Sequence, residues 1–230
     1  MAPNNSIETF TQIMKPVFDR LDELSIPYQN SPKHFTSYYA AWTDSWPGSQ
    51  LKVTQPEAIE ASRLFPRGVW NDPSGFETSF GVIKGVINDG YDITAFGIAP
   101  GNPFDVDNAV NPALRHLMAH ISTGILLPPN PTPAQLAATQ SKVMNDLLQP
   151  WREAAPADKF GGSYANEGNV MEPNWQQDFY GDKYPKLLRI KQKWDPSSLF
   201  YATAGVGTEG WEVRTKDQGI QTQNGPLCRL

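Results

Sequence analysis

Apolar side chains return every three or four positions between residues 7 and 24, at Ile7, Phe10, Ile13, Met14, Val17, Phe18, Leu21 and Leu24. That spacing is one stripe of a helix. Ser6 stands where its hydroxyl would cap the first turn, and Pro16 falls inside the pattern, where it should kink the helix. Pro27 stops the periodicity. The run from His34 to Trp42 is dense in aromatics with rough alternation, which predicts a strand. Thr54, Pro56 and Glu57 have the arrangement of a capping box, yet the following Ser-Arg-Leu-Phe-Pro-Arg reads equally well as extended chain. Residues 57–70 therefore stay open between helix and strand.

Asp72 before Pro73 makes a helix entrance, and Phe76, Phe80, Ile83 and Ile87 fall on one face behind it, so a helix is predicted over 73–88. Gly90 ends it, and 91–99 has the β-branched and aromatic content of a strand before the turn-forming Pro-Gly-Asn-Pro run. A further strand is predicted over 116–127, and the proline-rich 128–133 reads as an extended connector. Leu136, Val143, Leu147 and Leu148 mark a third helix that should end near Pro150. Beyond Phe160 the texture changes to short aromatic elements punctuated by glycine and proline, until a helix from Pro185 with Leu187, Leu188, Lys191 and Trp194 on one face, closed by Asp195 and Pro196. The pattern gives an α+β class, a mostly antiparallel sheet with helices packed on one face. The expected organisation is 1–157, then 158–215, then a loosely held polar tail over 216–230.

Composition removes several function classes. With 39% hydrophobic residues in 230, the chain can bury a core. Nineteen basic against 24 acidic residues give a net charge of −5, so no global positive field exists to hold nucleic acid. No apolar run is long enough to cross a bilayer, and the first fifteen residues lack a basic start followed by an apolar stretch, so the expectation is a cytoplasmic chain without membrane association. A single Cys228 excludes an intrachain disulfide and a cysteine metal cluster. His116 and His120 are four apart but lack the glutamate and third ligand of a metal site, so no metal is expected; on one strand they would share a face, where either could touch a substrate or, the preferred reading, hydrogen-bond a neighbour. The glycines match neither the dinucleotide nor the phosphate-loop fingerprint, and Ser163 lacks the setting of a hydrolase nucleophile. Tyr164 and Asn166 alternate on a short extended segment and could line one cavity, the phenol moving a proton and the amide orienting a carbonyl or ring edge; the competing reading is a strand-end network that satisfies buried backbone groups.

Residues 161–211 hold a Tyr-x-Asn-Glu segment, an aromatic stretch, Phe-Tyr-Gly, a lysine-bearing helix and Asp-Pro before an aromatic pair. In that order they resemble the C-terminal berberine-like region of fungal FAD-linked oxidases. Residues 60–67 and 108–120 resemble the substrate-binding domain of the same enzymes. The resemblance implies a sheet forming the ceiling of a pocket over a flavin, with Tyr164 as the proton-transfer residue and Asn166, Lys183 and Tyr184 as cofactor contacts; Lys183 stands where many fungal relatives have asparagine. The family's flavin-binding domain precedes the matching region, so FAD would have to be supplied from another chain or a part outside these 230 residues. Three functions follow as expectations: the substrate-binding half of an oxidoreductase acting on a small, specialised-metabolite-like molecule, a flavin-free isomerase or cyclase working through Tyr164, or a non-catalytic partner subunit, such as a homodimer.

Overall fold

A computed structural model describes residues 2, 4–45, 58–101, 106–214 and 225–230. The chain divides into two compact units, residues 1–54 and 55–230. The first unit contains α1 (Ile7–Glu23) and α2 (Tyr38–Ser45). Ser6 caps α1 by accepting the Thr9 N–H, and the helix runs through Pro16. Helix α2 replaces the strand expected over 34–42. Ser37 accepts the Ala40 N–H at its start, and Thr43 donates back to the Tyr39 carbonyl, so local side-chain bonds favour the turn over the extended form that the aromatics would prefer. The Thr54–Glu57 capping box lies outside the described residues.

The second unit is built on a three-stranded antiparallel sheet in the order β1 (Ala58–Pro66), β3 (Leu117–Leu126), β2 (Thr94–Gly97). The open reading of 57–70 resolves into a strand followed directly by the short helix α3 (Arg67–Asn71). Helix α4 (Pro73–Asn88) begins at an Asp72 cap that accepts the Gly75 N–H and ends at Gly90, whose φ of 85° a side chain would resist. Helix α5 (Ala113–His116) precedes β3. Then follow α6 (Pro133–Lys142), opened by a capping box between Thr132 and Gln135, a π-helical turn over Val143–Leu148, and α7 (Gln149–Ala154). The expected stop near Pro150 does not occur. The wider π turn spares the preceding carbonyls the clash that a proline ring makes in a regular α-helix, and helical chain continues to Ala154. The remainder contains α8 (Trp175–Tyr180), α9 (Tyr184–Trp194) and a ribbon of β4 (Trp211–Val213) with β5 (Leu227–Arg229), which ties down the last residues of the tail.

Register decides what each sheet face does. Ala61 faces Thr123, Arg63 faces Ile121 and Phe65 faces Ala119, so odd-numbered residues of both strands share one face. There Ala61, Phe65 and Ile121 pack with Val86 of α4 and with Val143, Leu147, Leu148 and Trp151. Trp151 meets Phe65 edge-on, centroids 6.0 Å apart. The helices therefore cover the odd face, as the α+β pattern requires.

Arg63 is the exception on that face: charged, yet 1% exposed. Its Nε and Nη2 donate to the Ala155 carbonyl at 3.1 and 2.8 Å, and its Nη1 to Asp178 at 2.7 Å. Arg152 reaches the buried Glu172 at 3.0 Å and the Met144 carbonyl at 2.9 Å. Burial pushes the Glu172 carboxyl above its ordinary range, against the pull of Arg152. Removing one member of such a pair leaves a buried charge without a counter-ion. Arg63→Ala should therefore lower the unfolding free energy by about 3–5 kcal/mol, and the double change Arg63→Met, Asp178→Leu should recover most of that loss. Denaturant titration of the three proteins distinguishes a buried ionic clamp from incidental packing, which would leave the double variant as weak as the single one.

Candidate functional site

The even-numbered face is treated differently. Leu64 faces His120, and His120 faces Phe96, so all three side chains share it. Over the β1 edge lies the segment 162–169. Leu64 N–H donates to the Gly162 carbonyl at 2.8 Å, and the segment comes so close that a side chain on Gly162 would sit 2.8 Å from the Asp178 carbonyl. Asn111 Nδ2 donates to the Ser163 carbonyl at 3.3 Å and to the Asp178 carbonyl, which also accepts the Ser163 N–H, at 2.7 Å. The chain then turns, with Glu167 N–H on the Tyr164 carbonyl, and the Ser62 hydroxyl clamps the turn by donating to the Glu167 carbonyl at 2.7 Å. Asn169 adds a further bond to the Glu60 carbonyl at 2.9 Å.

This clamp fixes Tyr164, which is half-buried against Leu64, Ala113 and Leu117. Asn166 Nδ2 donates to the Tyr164 Oη at 2.7 Å. The two residues thus touch directly across a turn. Because the phenol oxygen accepts from Asn166, its own proton is left to be directed elsewhere. The Tyr164 ring stands edge-on to His120, 6.2 Å between centroids, and Phe96 stacks over the other side of His120 at 6.1 Å. His120 is 5% exposed, its Nδ1 lies 3.6 Å from Glu167 Oε2, and its Nε2 has no hydrogen-bond partner. Burial pushes the imidazole below its ordinary value, and the nearby Glu167 opposes that only in part.

His116 is not beside His120. It ends α5 and stacks on Phe160 at 3.8 Å, so the expectation of two histidines on one strand fails because β3 starts one residue later. Lys183 and Tyr184 belong to another group of side chains. Lys183 donates to Asp107 at 2.9 Å together with Lys186, and hydrogen bonds from the two lysines hold the Asp107 carboxyl down to about 2. Tyr184 donates to Glu209 and accepts the Gly207 N–H at 3.1 Å; burial, then the Glu209 bond, push its phenol up. Among the described residues no hydrogen bond or ring contact joins Lys183 or Tyr184 to Tyr164 or Asn166. Among those residues, too, no group of three or more His, Cys, Asp or Glu side chains is placed to hold a metal, and no helix is long and apolar enough to cross a membrane.

The comparisons bear on this geometry. A family model described as berberine and berberine-like matches residues 163–207, the segment that contains the Tyr164 clamp. Over that segment the chain matches the berberine-like model, and along its length it aligns with fungal FAD-linked oxidoreductases and with a VAO-type flavoprotein oxidase. It is 30% identical to the VAO-type flavoprotein oxidase VAO615 of Thermothelomyces thermophilus over 99% of this chain and 38% of that protein. It is 28% identical to the FAD-linked oxidoreductase sor8 of Hypocrea jecorina over 100% of this chain and 37% of that one. The crystal structure of the VAO-type flavoprotein MtVAO615 from Myceliophthora thermophila superposes with a TM-score of 0.82 at 25% identity, covering 99% of this chain and 40% of the other. The chain thus spans less than half the length of these berberine-like relatives.

Sequence reasoning gave Ser62, Phe96 and Glu167 no role in this site. The pH response tests the burial of His120. A histidine whose folded value is depressed binds its proton more readily when unfolded, so it removes stability as pH falls below about 6.5. His120→Gln should make the thermal midpoint fall less steeply between about pH 7 and about pH 5 than in the unaltered chain. Parallel curves for the two proteins would show that His120 does not sense the buried environment.

Proposed function

We propose that this chain is the substrate-binding and berberine-like part of an FAD-linked oxidoreductase acting on a small organic molecule, with the flavin held by polypeptide outside these 230 residues. The observation that carries the reading is the position of the Tyr164–Asn166 pair: within the berberine-like match, clamped to the sheet face opposite the helices. The residues present suit a flat conjugated ring. Phe96 is 48% exposed on that face, beside the buried His120, which is held toward its neutral form. When bound, the flavin would supply the hydride acceptor that none of these side chains can replace.

The chain's own residues would do the rest. Asn166 orients the Tyr164 hydroxyl, and Tyr164 moves a proton at its Oη as substrate is oxidised. Phe96 and the Tyr164 ring exclude water from that side. Lys183 and Tyr184 are carried in this proposal as contacts toward the flavin-bearing part. Mixing the chain with an FAD-loaded flavin-binding part of a VAO-type relative should give a co-eluting yellow complex with a shifted visible spectrum. With a substrate that bleaches the flavin, Tyr164→Phe should keep co-elution and slow bleaching by about 10²–10⁴-fold. Failure of the two parts to associate would sink the reading, and a Tyr164→Phe complex that bleaches at the original rate would remove Tyr164 from it.

A further inference from the structure

At one end of the sheet, where β1 passes into α3 and α5 passes into β3, a hollow of about 450 Å³ opens. It lies in the size range of small-ligand pockets, roughly 300–1,000 Å³. Its walls do not include Tyr164, Asn166 or His120, so it is separate from the site above. Among the described residues the titratable groups in its walls are Arg67, Arg115, His116 and Lys159, and no described aspartate or glutamate lines it. That sign is contrary to the chain as a whole, which has 24 acidic residues against 19 basic ones.

The cations are also free to act. Arg115 is fixed by one bond, Nη1 to the Gly101 carbonyl at 3.0 Å, which leaves its other donors unassigned. The side chains of Arg67 and Lys159 have no hydrogen bond or ion pair with another described residue; Asp72, which lies outside the lining, is the carboxylate that Lys159 influences. Beside them Phe160 presents a half-exposed ring stacked on His116 at 3.8 Å and 18°. Phe160 adopts φ 64°, a left-handed conformation that a residue with a Cβ avoids. The turn is held there by the Phe160 N–H on the Ala157 carbonyl and the Gly161 N–H on the Pro156 carbonyl. Gly161 is required, because a Cβ there would fall 1.8 Å from the Ala155 carbonyl. A strained aromatic is thus locked beside unpaired cations.

We infer that this hollow binds an aromatic oxyanion, its phosphate or carboxylate group taken by Arg67, Arg115 and Lys159 and its ring laid on the Phe160–His116 stack. Planar guanidinium forks match such headgroups, and charge-assisted bonds to them are the strong ones. The inference does not depend on the flavin reading.

Calorimetric titration of the 230-residue chain with phenyl phosphate, benzoate and inorganic phosphate tests it. Phenyl phosphate should bind more tightly than inorganic phosphate, and Arg67→Glu and Lys159→Gln should each weaken it by at least about tenfold without lowering the thermal midpoint. Phe160→Leu should reduce phenyl phosphate affinity to that of inorganic phosphate. A tighter benzoate complex with the same variant pattern would support the site and assign it a carboxylate. Absence of binding by both aromatic probes, or affinities unchanged in Arg67→Glu and Lys159→Gln, would overturn the inference.

Discussion

A guanidinium buried in a protein has lost its water, and each of its three nitrogens needs a partner in the protein. Arg63 meets that constraint with one carbonyl at the end of α7 and one carboxylate on α8. Desolvating an ion costs several kcal/mol, repaid only when the geometry is complete. The strand, the end of the long helical stretch and the start of the berberine-like region therefore cannot separate without stranding a charge. Asp178 serves both sides of this junction. Its carboxylate answers Arg63, and its backbone carbonyl receives Ser163 N–H and Asn111 Nδ2. The ionic clamp on the odd face thereby fixes the segment that carries Tyr164 on the even face, and the position of the candidate proton-transfer residue follows from the solvation needs of an arginine on the other side of the sheet.

The elements legible in the sequence are those whose stability is local. Helices α1, α4 and α9 carry a capping or proline entrance and an apolar stripe, and both signals lie within a few turns of each other. The misreadings are equally physical. Aromatic content over 34–42 argued for a strand, but a strand needs a partner, whereas Ser37 and Thr43 satisfy a helical turn on the spot. Pro150 argued for termination because a regular helix cannot hold it; the π turn that accommodates it leaves no compositional mark beyond the buried Val143, Leu147 and Leu148. His116 and His120 were read on one strand, and a one-residue difference in where β3 begins put them on different elements.

For the candidate site the division is sharper. Tyr164 and Asn166 could be named from the segment itself, although extended alternation predicted a shared face and the chain instead makes a turn with a direct bond between them. Ser62, Phe96 and His120 are brought to the face that carries Tyr164 only through the pairing of β1 and β2 with β3, and a register slip of one residue would have sent each to the helix-covered side. Their part in the site is a property of long-range pairing that no spacing along the chain expresses.

The same alternation explains why one sheet can serve two purposes. On the odd face, Ala61, Phe65 and Ile121 find partners in α4, the π turn and α7, so that side is occupied by the fold's own core. On the even face, Leu64 and His120 are buried by the Tyr164 segment and by Phe96, while Phe96 itself remains half-exposed. The open aromatic is costly if left so, and that cost falls when a flat group lies against that side. This surface is therefore incomplete in a chemically specific way, and that specificity links the berberine-like segment to the flavin-facing role proposed for it.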